Sequence, residues 1–95
     1  MNARIELQNI LQSGVILIAA NVTLTEETFI LYKDHSKEDI QDFWSFLDRE
    51  YDQGYGEQQL TGYVWLSDGS WLQRQSYDGS EYWIHNKMPA IPTKQ

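Results

Sequence analysis

Cysteine is absent from the 95 residues, and proline occurs only twice. Without thiols there is no disulfide staple, no thiolate zinc site, no iron–sulfur cluster and no cysteine nucleophile. A chain this short must then hold together by packing alone or with the help of a partner. Long apolar runs are missing too. The longest, Val15 to Ala20, falls far short of the ~20 residues of a membrane span. No signal peptide is expected, because no long apolar stretch follows a basic flank near Met1. Positive charge is scarce: seven Lys and Arg face fourteen Asp and Glu, for a net charge of −7. Direct contact with nucleic acid is not expected, since it needs a basic footprint, and an anionic membrane would repel the chain. A basic protein partner would attract it.

Recognisable catalytic motifs are also lacking. There is no phosphate-binding glycine loop, no GxSxG and no calcium-binding loop. Histidine occurs only as His35 and His85. Two histidines without a spaced third ligand do not make a zinc site, and no metal or cofactor is expected. Acids are numerous enough to supply a glycosidase-type pair. They cluster, however, on a helix face that reads as exposed, where pKa shifts are small. The chain is therefore not expected to be an enzyme.

What is present points to one α+β domain over 1–95, burying roughly 60–65% of its unfolded surface. Asn2 is a candidate N-cap, and Ala3, Leu7, Ile10 and Leu11 share a helical stripe, so 3–12 reads as a helix stopped by Gly14. Val15 to Ala20 reads as a strand buried on both faces. A turn at Glu26-Glu27 and a second strand, Thr28 to Tyr32, complete a hairpin over 15–33. A helix starting near Thr25 is the alternative. Ser36 with Asp39 forms a capping signature. Ile40, Phe43, Trp44, Leu47 and Tyr51 then follow at helical spacing, which predicts a helix over 37–52. Asp68-Gly69 and Asp78-Gly79 each sit between aromatic runs and predict two tight hairpins, hence a three-stranded meander. Residues 87–95, with Pro89 and Pro92, read as an extended tail. The expected order is α-β-β-α-β-β-β. A small antiparallel sheet, hairpin plus meander, is covered on one face by two helices.

Charge is concentrated. Residues 34–57 hold Asp34, Glu38, Asp39, Asp42, Asp48, Glu50, Asp52 and Glu57 against Lys37 and Arg49, a net −6 of the total −7. Glu38, Asp42, Asp48 and Asp52 fall on the side of the wheel away from the apolar arc. They make like-charge i,i+4 pairs, and acids at a helix C-terminus oppose its dipole. Two readings stand: a solvated face that keeps the chain in solution, or a negative face for a basic partner.

Aromatics are dense, at 14% of residues. If both Asp-Gly turns are two-residue loops, Leu66 faces Trp71, Tyr63 faces Arg74 and Arg74 faces Trp83. One side of the meander then carries Val64, Leu66, Trp71, Tyr77, Tyr82 and Ile84 and reads as core. The other carries Tyr63, Trp65, Leu72, Arg74, Glu81, Trp83 and His85, with Arg74 placed for cation–π contact with Tyr63 and Trp83. Tyr63, Trp65, Arg74 and Trp83 are candidate partner contacts, since Trp, Tyr and Arg dominate binding hot spots. The competing reading has that side covered by a helix or by the tail.

Three segments, Gly62 to Trp71 (GYVWLSDGSW), Tyr77 to Trp83 (YDGSEYW) and Met88 to Pro92 (MPAIP), resemble the C-terminal block of small uncharacterised phage and prophage proteins. The block covers about a third of the chain. It implies no activity and no site residues. By analogy it points to an anti-defence inhibitor, of the anti-CRISPR or anti-restriction kind, acting in the cytoplasm of a host cell. The expected function is thus a small acidic protein that occupies the basic nucleic-acid site of a host protein. Alternatives are an immunity protein or antitoxin against a basic toxin, and a homodimeric structural module.

Overall fold

The computed structural model describes residues 2–11, 14–51, 58–77 and 80–87. Two helices and five strands follow the expected order: α1 (Ala3–Ile10), β1 (Leu17–Leu24), β2 (Glu27–Leu31), α2 (Lys37–Leu47), β3 (Leu60–Leu66), β4 (Trp71–Tyr77) and β5 (Ser80–Asn86). The strands form one sheet in the order β2-β1-β3-β4-β5, antiparallel throughout. No helix among the described residues is long and apolar enough to cross a membrane.

Local chemistry sets most boundaries. Asn2 accepts from the Ile5 amide at 3.0 Å and caps α1. Ser36 and Asp39 exchange side-chain and backbone hydrogen bonds in a full capping box at α2. α2 ends at Leu47 instead of continuing to 52. The acids at 48, 50 and 52 would have crowded a helix C-terminus, where negative charge is unfavourable. The chain instead turns toward the start of α1. There Arg49 O accepts from the Ala3 amide at 3.0 Å, and Asp48 takes a hydrogen bond from Asn2 Nδ2 at 3.0 Å. An acid that opposes the dipole of α2 thereby supports that of α1.

The first hairpin turns one residue earlier than expected. Leu24 pairs with Glu27, so Thr25-Glu26 forms the loop. Thr25 takes φ +58°, unfavourable for a β-branched residue, while its amide donates to Gln59 O at 2.7 Å. The β1 segment is not buried on both faces, because Ile16 is exposed and burial alternates from Ala20 to Leu24.

The β3–β4 register is one residue off the two-residue-loop expectation. Trp65 pairs with Trp71, Val64 with Leu72 and Tyr63 with Gln73. Leu66 N donates to Ser70 O at 3.0 Å, which leaves a three-residue loop, Ser67 to Gly69. Asp68 accepts from both the amide and the hydroxyl of Ser70, and only Gly69 needs positive φ, at +85°. That is the chemistry of a turn followed by a glycine bulge rather than of a two-residue turn. The β4–β5 register is as expected, with Arg74 facing Trp83 and Gln73 facing Ile84. The Asp78-Gly79 turn itself, Asp52, and the tail beyond Lys87 lie outside the described residues.

Both helices cover the same face of the sheet. Its rows run Leu31–Ala20–Val64–Leu72, then Phe29–Val22–Gly62, then Leu24–Leu60. Against them pack Leu7 of α1 and Phe43 and Leu47 of α2, all fully buried. Phe29 meets Phe43 edge-on at 5.7 Å and Phe46 at 5.5 Å, fixing α2 over β2.

Candidate functional site

The corrected register redistributes the residues expected to bind. Three locations result, one inside the fold and two on opposite outer surfaces.

The first is a buried charged cluster on the covered face. Arg74 Nη1 reaches Glu6 Oε2 of α1 at 2.7 Å, and Nη2 reaches Glu81 Oε1 of β5 at 3.1 Å. The Tyr51 hydroxyl donates to Glu6 and accepts from Arg74. The guanidinium also lies over the rings of Trp83, at 5.4 Å, and Tyr51, at 5.5 Å. The expected contact with Trp83 is present. The expected contact with Tyr63 is replaced by Tyr51, because Tyr63 projects to the other face. Arg74 and Glu81 are only 6% and 3% exposed. Burial, and then the hydrogen bond to Glu6, pushes the Tyr51 phenol well above its ordinary pKa.

This cluster fills a split in the sheet. The β3–β4 ladder has three residue pairs, whereas β1–β3 and β4–β5 have seven each. Beyond Tyr63 the two strands part. Gly62, at φ +131°, presses so close to β1 that a Cβ would sit 2.1 Å from Asn21 O. Where β4 no longer pairs, the Glu81 carboxylate takes over, accepting from the amides of Gln59 at 2.9 Å and Leu60 at 3.0 Å. A groove of about 320 Å³ follows the split, and Gly62, Tyr63 and Arg74 are among its lining residues. Burying an arginine with two carboxylates holds only while each group keeps its partner. The arrangement therefore explains Arg74 as an organiser of α1, β4, β5 and the segment after α2.

The second location is the open face of the sheet. One row runs Ile30–Asn21–Tyr63–Gln73–Ile84 across all five strands. A second runs Ala19–Trp65–Trp71–Asn86, and a third contains Thr28, Thr23 and Thr61, with Gln75 and Tyr82 beyond the split. No strand residue in these rows is charged. Tyr63 and Trp65 are 43% and 42% exposed and stack at 6.0 Å, with Ile30 and Tyr82 also exposed. Trp71, Tyr82 and Ile84 were expected in the core and belong to this face instead. Alternation placed residues correctly within each strand. The one-residue slip exchanged the faces between β3 and β4, and an aspartate two residues before a serine was the available sign of the longer loop.

The third location is the outward side of α2. Glu38 and Asp42 are exposed and have no hydrogen-bond or ion-pair partner among the described residues. Asp48 is drawn into the junction with α1, with Arg4 3.9 Å away. Asp39 is occupied by the capping box. Beside the helix, Arg49 grips Glu27 through two hydrogen bonds of 3.0 and 3.2 Å, which holds the Glu27 carboxyl below its ordinary range. Since α2 lies on the covered face, its acids and the open aromatic face look in opposite directions.

No family model, no curated protein and no solved structure matches the chain.

Proposed function

We propose that this chain is a non-catalytic protein-binding domain whose acidic helix meets a basic partner, in the manner of a phage-borne anti-defence inhibitor that occupies a nucleic-acid site in a host cell. The observation that carries the reading is that Glu38 and Asp42 stand one helical turn apart, exposed and without a partner among the described residues. Like charges at that spacing lower helix stability by a few tenths of a kcal/mol. Glu38, in the first turn, also suits the dipole of α2, so the pair costs the fold little, and its exposed carboxylates stand open to positive charge outside it. The buried acids argue the same way against catalysis: Glu6 and Glu81 are both held by Arg74. Of the four aromatic and arginine candidates, Tyr63 and Trp65 are accessible to a partner, while Arg74 and Trp83 face the interior.

Capture from a host lysate by the immobilised full chain, with the bound proteins identified by mass spectrometry, tests the reading. The expected catch is a nucleic-acid-acting protein that added duplex DNA displaces. Its association rate should fall about tenfold between low and high salt, as steered encounters do. The double variant Glu38→Gln/Asp42→Asn should slow association without unfolding the chain. Equal capture by the variant, at a rate indifferent to salt, overturns the proposal.

A further inference from the structure

We infer that the open face of the sheet is a self-association surface, on which a second copy of this chain docks face to face. The inference does not depend on the acidic helix having a partner.

Three observations carry it. The first is the absence of charge. In a chain of net charge −7, every strand residue of the open face is apolar, aromatic, hydroxyl or amide. Scattered charges are what normally keep an exposed sheet face from associating. Here they are missing from that surface while the covered face holds Arg74 and Glu81.

The second is distance. A chain of −7 repels its own copy, so a dimer needs the acids far from the contact. Helix and sheet layers are each about 10 Å apart, so face-to-face stacking sets the two α2 helices roughly 30 Å apart. That is about three Debye lengths at 0.1 M salt, and the repulsion is largely screened. Docking through the α2 side would instead bring the unpaired Glu38 and Asp42 of both copies together.

The third is area and composition. Five strands at about 4.8 Å spacing, and rows spanning some 20 Å, give on the order of 500 Å² per copy. Two copies together bury about 1,000 Å², the lower bound for a specific interface, which predicts a weak, concentration-dependent dimer. Tyr63 and Trp65 lie near the centre, where aromatic anchors count most, with Asn21 and Gln73 alongside to satisfy hydrogen bonds. Tyr63 is on the central strand, so a two-fold axis near it brings like rows together, as an isologous contact requires.

Sedimentation of the full chain from about 1 to about 200 μM reads the outcome. The weight-average mass should climb from 11.2 kDa toward twice that value. Gln73→Glu puts a like charge at the centre of the face without touching the core, and should weaken self-association on the order of tenfold or more. Its circular dichroism and melting temperature, taken at monomer concentrations, should match wild type. Glu38→Gln/Asp42→Asn should leave the dimer unchanged. A wild type that stays monomeric across the range overturns the inference, and so does a dimer of unchanged affinity in Gln73→Glu. A monomer whose tryptophan emission shifts only on adding a neutral oligosaccharide or another protein also overturns it, and assigns the face to that occupant.

Discussion

The two faces of this sheet differ in where they keep charge. The covered face holds a buried arginine and a buried glutamate, and the open face holds tyrosine, tryptophan and isoleucine. Yet both follow one rule. Leu60, Val64 and Leu72 fill the space beneath the helices, and Arg74 is tolerated among them because Glu6 holds its Nη1 and Glu81 and Tyr51 hold its Nη2. Side-chain hydrophobicity alone does not decide which face is covered. Packing volume and the availability of partners do.

Removing the arginine breaks that arrangement most severely. Arg74→Met leaves two carboxylates without their cation and should cost about 3–5 kcal/mol in urea unfolding. A loss below about 1 kcal/mol would mean that the cluster is not what holds α1 to β4 and β5. A matched pair contrasts the faces directly. Leu72→Ala beneath the helices should cost about 2–5 kcal/mol, whereas Trp65→Thr, measured at concentrations that keep the chain monomeric, should cost about 1 kcal/mol or less, the worth of its contacts with Tyr63 and Trp71. Similar costs at both positions would show that the open face is covered in solution.

Tyr51→Phe sharpens the account of the cluster, with an expected loss of about 1–2 kcal/mol. It also has a pH signature. The folded-state pKa of Tyr51 lies above that of the unfolded chain, where a phenol titrates near ~10. Its contribution is therefore complete below that pH and declines as pH rises beyond it. Unfolding experiments should show an alkaline loss of stability in wild type that is smaller in the Phe variant. The smallest effect is expected at the first hairpin. Thr25→Gly relieves a positive φ worth ~1 kcal/mol but adds freedom to the unfolded chain, for a net gain of a few tenths of a kcal/mol by thermal melting.

Much of the fold was legible because its signals are local. Asn2, Ser36 with Asp39, and the helical spacing of Ile40 to Leu47 each encode an element within a few residues. The site was less legible because its partners are distant. Glu6 and Arg74 are separated by 68 positions, and nothing near either names the other. Asp68-Gly69 permits two loop lengths, and choosing between them required knowing that Asp68 would hold Ser70. That one step decided which aromatics face water. Tyr51 sits at helical spacing from Leu47, yet it belongs to the segment that leaves the helix, where it reaches the cluster.

The split between β3 and β4 has a mechanical consequence. Three rungs and one carboxylate join a three-stranded slab to a two-stranded one, so the sheet has a seam along which it opens before it melts. Amides of Gln59 and Leu60, bonded to a side chain rather than to a neighbouring strand, should exchange with deuterium ahead of those of Val64 and Leu72. Opening along the seam is then checked only where Arg74 ties the outer hairpin to Glu6 and Tyr51.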